Sequence, residues 1–205
     1  MILLEYKSTT KYIMNIVEKY IEINSSLTLY ISGMSGCGKT QIGKFISRDF
    51  KIKLIDQDDY YIKSHDIKTK LGDKEIVNWY TDDAIDWDKF NKDIDKAKTS
   101  GVIVIGNTLP DDRMTVKPDL HIQLSMSKQE CVRRRLLFLE HDKQDINEEF
   151  EKLKINKLAY PYYLETVNRS KINKFVNITE KSDDTIYDDV FDIVISFIKI
   201  KLKQD

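Results

Sequence analysis

The segment from Gly33 to Thr40 has the residue types and the spacing of a phosphate-binding loop. Its sequence is a glycine, four residues and then Gly-Lys-Thr: Gly33-Met34-Ser35-Gly36-Cys37-Gly38-Lys39-Thr40. Glycines let the backbone turn so that successive N–H groups point at phosphate oxygens, and the N-terminus of a following helix adds positive partial charge. The segment therefore predicts a site for a nucleoside triphosphate.

Each position of this P-loop has an expected role. Lys39 is expected to reach the β- and γ-phosphates, and Thr40 to give its hydroxyl to Mg²⁺. The remaining nucleotide contacts are expected from Gly33, Ser35, Gly36, Cys37 and Gly38. The alternative is an ordinary Gly-rich turn with a surface lysine. It is disfavoured because three of only seven glycines in the chain lie here.

Three carboxylates in four positions, Asp56-Gln57-Asp58-Asp59, follow an apolar run at 52–55. Phosphoryl transfer needs an acceptor held in line, a group that receives its proton, and metal coordination. A solvated Asx turn is the alternative for an isolated acidic cluster. The P-loop one helix upstream favours a functional role.

Apolar periodicity predicts the elements that position these residues. Short β-type runs lie at 27–31, 52–55, 102–105, 120–124 and 175–178. Helical patterns lie at 8–24, 39–49, 83–98, 128–140, 147–164 and 183–203. Strands that alternate with helices predict an α/β fold with a mostly parallel five-stranded sheet. Ligands of such sheets bind beyond the carboxyl ends of the strands.

Composition limits the class of protein. The 205 residues are 41% hydrophobic and carry a formal net charge of −1, which fits a single globular domain over 1–205 without the basic field of a nucleic-acid binder. Cys37 and Cys131 have no metal-ligand spacing, and two cysteines make no disulfide framework, so a cytoplasmic location is expected. The apolar run at 1–4 is too short for a signal peptide, and charges interrupt the run at 190–202. We expect no membrane span.

Other P-loop classes lack their own motifs here. The segment 177–181 does not supply the Asn-Lys-x-Asp element that binds guanine. Segments 124–129 and 136–140 faintly imitate the signature and the acidic strand of transporter ATPases. Only one helix fits between them, where that architecture needs a helix and then a strand, so we set this interpretation aside.

The order of the motifs resembles P-loop nucleoside kinases, namely uridine kinases and nicotinamide riboside kinases. The resemblance spans residues 27–180 and rests on the P-loop and four further segments. These are Gln57-Asp58-Asp59-Tyr60-Tyr61, the stretch from Asn78 to Asp86, Glu130-Cys131-Val132-Arg133-Arg134-Arg135, and Tyr160-Pro161-Tyr162-Tyr163. The arrangement is most similar to the riboside kinases.

The resemblance implies a P-loop NTPase fold with a lid at 127–145, and ATP-dependent transfer of the γ-phosphate to the 5′-hydroxyl of a ribonucleoside. It implies that Asp58 is the catalytic carboxylate and that Arg134 and Arg135 act from the lid. Mg²⁺ would be held by Thr40 and Asp58, with Asp56 as a further ligand. The acceptor would contact Asp58, Tyr61, Trp79, Tyr80 and Arg135. A buried core position is the alternative for Trp79.

Helical geometry separates the three arginines. Val132, Leu136 and Leu139 define an apolar face, and consecutive residues are rotated by about 100°. Arg135 and Arg133 are then expected to flank this face and Arg134 to point away from it. Some of the run is therefore expected to be solvated surface, and at least one arginine to bind phosphate.

Three positions depart from the family pattern. Tyr80 stands where a carboxylate usually holds the ribose hydroxyls, although a shifted loop could bring Asp82 or Asp83 there. Ile105 stands where an acidic residue usually precedes a glycine, with Asp56 or Asn107 as compensation, and Phe138 stands where a lid arginine is usual. An active kinase with an altered acceptor is the favoured interpretation. The alternatives are a nucleotide-binding protein with weak or lost activity and an ATPase switch acting on a protein.

Overall fold

A computed structural model describes residues 14–141 and 147–203. It contains one parallel sheet of five strands in the order β2-β5-β1-β6-β7 and a separate two-stranded hairpin, β3-β4. The strands are β1 (Thr28–Gly33), β2 (Lys53–Asp56), β3 (Lys68–Leu71), β4 (Lys74–Val77), β5 (Val102–Gly106), β6 (Leu120–Ser125) and β7 (Lys174–Asn177). The predicted α/β fold and its five-stranded sheet are confirmed.

Helices cover both faces of the sheet. They are α1 (described over 14–24), α2 (Lys39–Phe50), α3 (Trp87–Ala97), α4 (Lys128–His141), α5 (Glu148–Lys154), α6 (Tyr160–Asn168) and α7 (Asp183–Lys201). Residues 8–13 of the predicted first helix and 142–145 of the predicted lid lie outside the described residues. Tyr20 of α1 packs on Phe197 of α7 with ring centroids 6.0 Å apart. No helix in the described ranges is long and apolar enough to cross a membrane.

Strand β1 lies at the centre of the sheet and is buried along its whole length. Thr28 pairs in register with Val102 of β5, and Leu29 pairs with Leu120 of β6. Apolar side chains pack on both faces, as a parallel sheet requires. All five strands end at the same edge, so the P-loop after β1 and the acidic residues after β2 are brought together.

The predicted start of helix α3 was wrong. Helix α3 begins at Trp87 and not at 83, because Asp82–Ala84 form a 3-10 turn and the Asp86 carboxylate caps α3 by accepting the Lys89 N–H at 3.0 Å.

The helix predicted at 147–164 is not one regular α-helix. A π-helical stretch, Ile155–Ala159, separates α5 from α6, and the Tyr160 N–H donates to the Ile155 carbonyl five residues back. Pro161 has no N–H with which to continue the α-helical pattern at this point. Such π segments occur often at functional sites.

Candidate active site

The P-loop connects β1 to α2 through a backbone that requires glycine. Gly36 and Gly38 have φ angles of 84° and 85°, which only glycine adopts at low cost. A Cβ on Gly33 would lie 2.7 Å from Cys37 Sγ and 2.9 Å from the Leu124 carbonyl oxygen. The loop is thus built for close backbone packing.

The N-terminus of α2 is left open for an anion. Gly38 is its N-cap, no side chain caps the helix, and its first turn contains no acidic residue. The first N–H groups of a helix then remain available to a phosphate. Cys37 differs from the other predicted contacts, because its N–H already donates to the Met34 carbonyl at 3.1 Å and its side chain is buried.

Lys39 and Asn107 connect the P-loop to the end of β5. The ammonium group of Lys39 donates to Asn107 Oδ1 at 2.9 Å, and Lys39 is only 6% exposed. Gln57 fixes the backbone at this point, since its Nε2 donates to the Thr108 carbonyl at 2.7 Å and its Oε1 accepts the Asn107 N–H at 3.0 Å. Sequence analysis assigned no role to Gln57, which here is a positioning residue.

Asp58 and Asp59 lie in a 3-10 turn, Gln57–Tyr60, directly after β2, and Asp56 at the end of β2 is its N-cap. Asp56 accepts the Asp58 N–H at 3.0 Å and is the register partner of Ile105 on β5. Burial raises the pKa of Asp56, and the hydrogen bond from the Asp58 backbone partly opposes this effect. Asp58 itself lies at the junction of two hollows.

The first hollow, the nucleotide cleft, has a volume of about 730 Å³ and lies along the P-loop. Lys39, Thr40, Asp58, Phe138 and the three arginines 133–135 are among its lining residues. The cleft thus brings together the cations and the P-loop hydroxyl that sequence analysis assigned to phosphate and Mg²⁺.

Helical geometry did not predict which of the arginines is buried. The Arg134 side chain, expected to point away from the apolar face, is only 12% exposed, whereas that of Arg133 is 57% exposed. Arg134 donates to Glu130 at 2.7 Å and to the carbonyls of Ile178 and Lys181. It packs inward because its Cβ lies against the P-loop, 3.2 Å from where a Cβ on Gly36 would be.

The second hollow, the acceptor cavity, has a volume of about 490 Å³ and aromatic walls. Its aromatic lining residues are Tyr61, Trp79, Tyr80, Tyr162 and Tyr163. Trp79 is 39% exposed and meets Tyr61 edge to face at 5.7 Å, so it is not a buried core residue. Burial raises the pKa of Tyr61 to about 12, so its hydroxyl stays protonated.

Neither Asp82 nor Asp83 replaces the carboxylate that is missing at Tyr80. Asp82 accepts from Arg113 at 2.8 Å, from Arg169 at 2.7 Å and from Tyr162 at 2.9 Å. Hydrogen bonds from Arg169, Arg113 and Tyr162 outweigh burial and lower the pKa of Asp82. Asp83 is exposed, and neither residue lines the acceptor cavity. Tyr80 does line it.

Glu151 of α5 supplies a carboxylate to the acceptor cavity that sequence analysis missed. Its Oε2 accepts from Arg135 Nε at 3.5 Å, and its Oε1 is bonded to Lys154. In the sequence it stands in an acidic run with Glu148 and Glu149. No sequence signal distinguishes the one side chain of this run that faces the cavity.

Part of this chain is similar in sequence to a known kinase. A stretch of 90 residues, 42% of this chain, is 38% identical to the nicotinamide riboside kinase of Saccharomyces cerevisiae strain S288c and covers 37% of that protein. The chain is similar to P-loop nucleoside kinases. The match spans well under two thirds of the yeast protein's length. No family model matches the sequence.

Solved structures support the P-loop kinase-like fold. A gluconokinase from Sinorhizobium meliloti 1021 matches with a TM-score of 0.56 and 12% identity, over 88% of this chain and 98% of that one. A shikimate kinase from Bacteroides thetaiotaomicron matches with a TM-score of 0.53 and 15% identity, over 82% of this chain and 98% of that one. At these identities the likeness concerns the fold alone.

The residues present fit the Mg²⁺ that P-loop proteins of this kind use. Within 14–141 and 147–203, no group of three or more His, Cys, Asp or Glu side chains is arranged to hold a metal ion. Mg²⁺ in such sites is bound by few side chains together with water and phosphate oxygens. Thr40 and Asp58 both line the nucleotide cleft, so a hydroxyl and a carboxylate are available. Asp56 lines neither hollow.

Proposed function

We propose that this protein is an ATP- and Mg²⁺-dependent small-molecule kinase that transfers the γ-phosphate to the 5′-hydroxyl of a ribonucleoside. One observation carries the proposal: Asp58, an acidic residue at the carboxyl end of β2, lines both the nucleotide cleft and the acceptor cavity. A carboxylate at this junction is placed to orient an acceptor hydroxyl and to receive its proton as the phosphoryl group departs from the nucleotide.

The other proposed roles follow from position. Backbone N–H groups of the P-loop and the ammonium of Lys39 bind phosphate oxygens, while Arg135, which lines both hollows, stabilises the charge that moves between them. Thr40 and Asp58 would hold Mg²⁺, which would supply neutralisation of the charge on the phosphate oxygens. Arg134 holds α4 against the P-loop. Its donors already have protein partners, so Arg135 is the better candidate for direct contact with the transferred group.

The acceptor cavity supports a compact ring-bearing acceptor. Trp79 and Tyr61 offer aromatic surfaces on which a planar base can pack. Similarity to the yeast riboside kinase points to the same acceptor class. We further propose that residues 1–205 act as one domain with a lid at 127–145, in the cytoplasm, without a nucleic-acid partner.

A second candidate function is nucleotide binding with weak or lost transfer. The observation that favours it is Ile105, which is fully buried at a position where a carboxylate is usual. Lys39, Thr40 and Asp58 are all present and line the nucleotide cleft, which favours the kinase.

The test is to incubate the purified protein with Mg·ATP and uridine, cytidine or nicotinamide riboside, and to look for monophosphates. Asp58→Asn is expected to lower kcat by about 10²- to 10⁴-fold, because the proton acceptor is lost, while the affinity for ATP itself is kept, since the P-loop and Lys39 are assigned to its phosphates. Asp59→Asn is the matched control, since Asp59 is the exposed neighbour and lines neither hollow. Full activity of Asp58→Asn, or ADP release that is independent of every acceptor, would contradict the proposal.

A further inference from the structure

The acceptor cavity contains a second carboxylate whose task the proposed transfer does not explain. The side chain of Glu151 is only 14% exposed and belongs to α5, on a different element from Asp58. Among the described residues, Asp58, Arg135 and Glu151 are the charged side chains that line this cavity. Asp58 is committed to the hydroxyl that receives phosphate. Glu151 pairs with Lys154 of the same helix and loosely with Arg135, and its position on the cavity wall lets it contact another part of the acceptor.

Glu151 and Arg135 lie side by side without a tight bond. Their atoms Oε2 and Nε are 3.5 Å apart, well beyond the usual length of about 2.7–2.9 Å for a charge-assisted hydrogen bond. A ligand hydroxyl can replace so long a contact at small cost. It would donate to the carboxylate of Glu151, and the guanidinium of Arg135 would then be available to the transferred group.

Tyr80 lies near the same pair. Burial raises the pKa of its phenol, which Arg135 opposes and Glu151 reinforces. The neutral phenol, the carboxylate and the guanidinium thus meet at one wall of the cavity.

We propose that Glu151 is the specificity-determining residue for the acceptor: it binds adjacent hydroxyls distant from the one that is phosphorylated. This inference rests on the proposed function, since it concerns the same acceptor. A carboxylate accepts two hydrogen bonds at once, which suits a vicinal diol. It also disfavours an acceptor that carries a phosphate or carboxylate at this end, because like charges repel strongly in a partly buried site.

The test compares Glu151→Gln with Glu149→Gln, a matched control on the same helix. The side chain of Glu149 is 86% exposed and pairs with Lys152. Binding of uridine and nicotinamide riboside, and of their 2′,3′-dideoxy counterparts, is measured by calorimetry with Mg²⁺ and a non-hydrolysable ATP analogue. Glu151→Gln is expected to bind the ribosides roughly 10- to 100-fold more weakly, because hydrogen bonds to a charged group are lost. It is expected to bind the dideoxy compounds as the unaltered protein does.

Product formation with ATP, followed on the same preparations, separates the two proposals. Equal riboside affinity in Glu151→Gln and Glu149→Gln overturns the role of Glu151, whatever the rate of transfer. Binding that depends on Glu151 without any monophosphate product overturns the kinase and leaves the diol site standing. A protein that binds neither riboside overturns the diol site. Unchanged thermal unfolding of Glu151→Gln excludes misfolding as the cause of a loss.

Discussion

Lys39 is a largely buried residue that lines the nucleotide cleft. Its ammonium has a neutral partner, Asn107 Oδ1, and the nearby Asp56 interacts with it electrostatically. A buried cation without a tight carboxylate partner is costly. A phosphate that enters the nucleotide cleft supplies the missing negative charge, so the P-loop region is prepared for an anion before it binds.

Replacement of Lys39 therefore tests the nucleotide cleft directly. Lys39→Met is expected to weaken binding of Mg·ATP by roughly 10- to 100-fold, which is the range for loss of a hydrogen bond to a charged group. Titration calorimetry measures the affinity. Lys44→Met is the control, since Lys44 is an exposed lysine of the same helix, α2. Equal affinity of the two variants would rule out the assigned role of Lys39.

At the scale of elements, Arg134 connects three parts of the chain. It lies on α4, packs against Gly36 of the P-loop and donates to the carbonyls of Ile178 and Lys181 after β7. Together with Arg133 it also pairs with Glu130, and hydrogen bonds from Arg133 and Arg134 lower the pKa of Glu130 to about 2. These contacts fix the N-terminal half of α4 to the edge of the sheet where the strands end.

Arg134→Gln is expected to lower the free energy of unfolding by about 1–3 kcal/mol, because buried carbonyls and part of Glu130 lose their partner. Arg133→Gln is expected to change it much less, because the side chain of Arg133 is exposed and its ion pair is screened by water. Urea unfolding of both variants measures the difference. Equal destabilisation would show that Arg134 does not fix α4.

Strong apolar periodicity made most helices and strands predictable. Two elements were missed, each for its own reason. The β3–β4 hairpin was missed because its strands are short and largely exposed, so apolar residues do not alternate clearly. A signal was present in Gly72-Asp73, a pair typical of two-residue hairpin turns, and Gly72 has a φ of 62°. The π segment leaves no comparable mark, because it changes the hydrogen-bond pattern without changing the apolar spacing.

At the scale of the whole molecule, His121 is a titratable group in the middle of the sheet. Ser32 Oγ donates to Gln123 Oε1 at 2.7 Å, so at 2.6 Å it accepts from His121 Nε2. His121 Nδ1 then carries no proton, and it has no partner within hydrogen-bond distance among the described residues. Burial lowers the pKa of His121 to about 4, although Asp111 and the Lys171 backbone act in the opposite direction.

This histidine makes the stability of the protein dependent on pH. Between its unfolded pKa of about 6.5 and its folded value of about 4, the unfolded chain binds a proton that the folded one does not, so acid favours unfolding. The free energy of unfolding is expected to fall by about 2 kcal/mol from about pH 7.5 to about pH 5 through this group. Denaturant unfolding of the protein and of His121→Gln checks the sign. The same pH slope in both would contradict it.

The candidate site was predictable where a motif fixes both residue type and spacing, and unpredictable where tertiary packing decides. The P-loop and Asp58 were found because their chemistry depends on local sequence after a strand. Glu151, Gln57 and the inward position of Arg134 depend on contacts between residues far apart in the chain. Such contacts leave no pattern in a single sequence.

The nucleotide cleft and the acceptor cavity share few wall residues. Among the described residues, Ser35, Asp58 and Arg135 line both, whereas Trp79, Tyr80 and Glu151 line the acceptor cavity alone. For the kinase proposed above, substitutions in the acceptor cavity alone would change the acceptor and leave the residues assigned to the nucleotide unchanged. Over evolutionary time, descendants of such a kinase could acquire new acceptors without losing their phosphate donor.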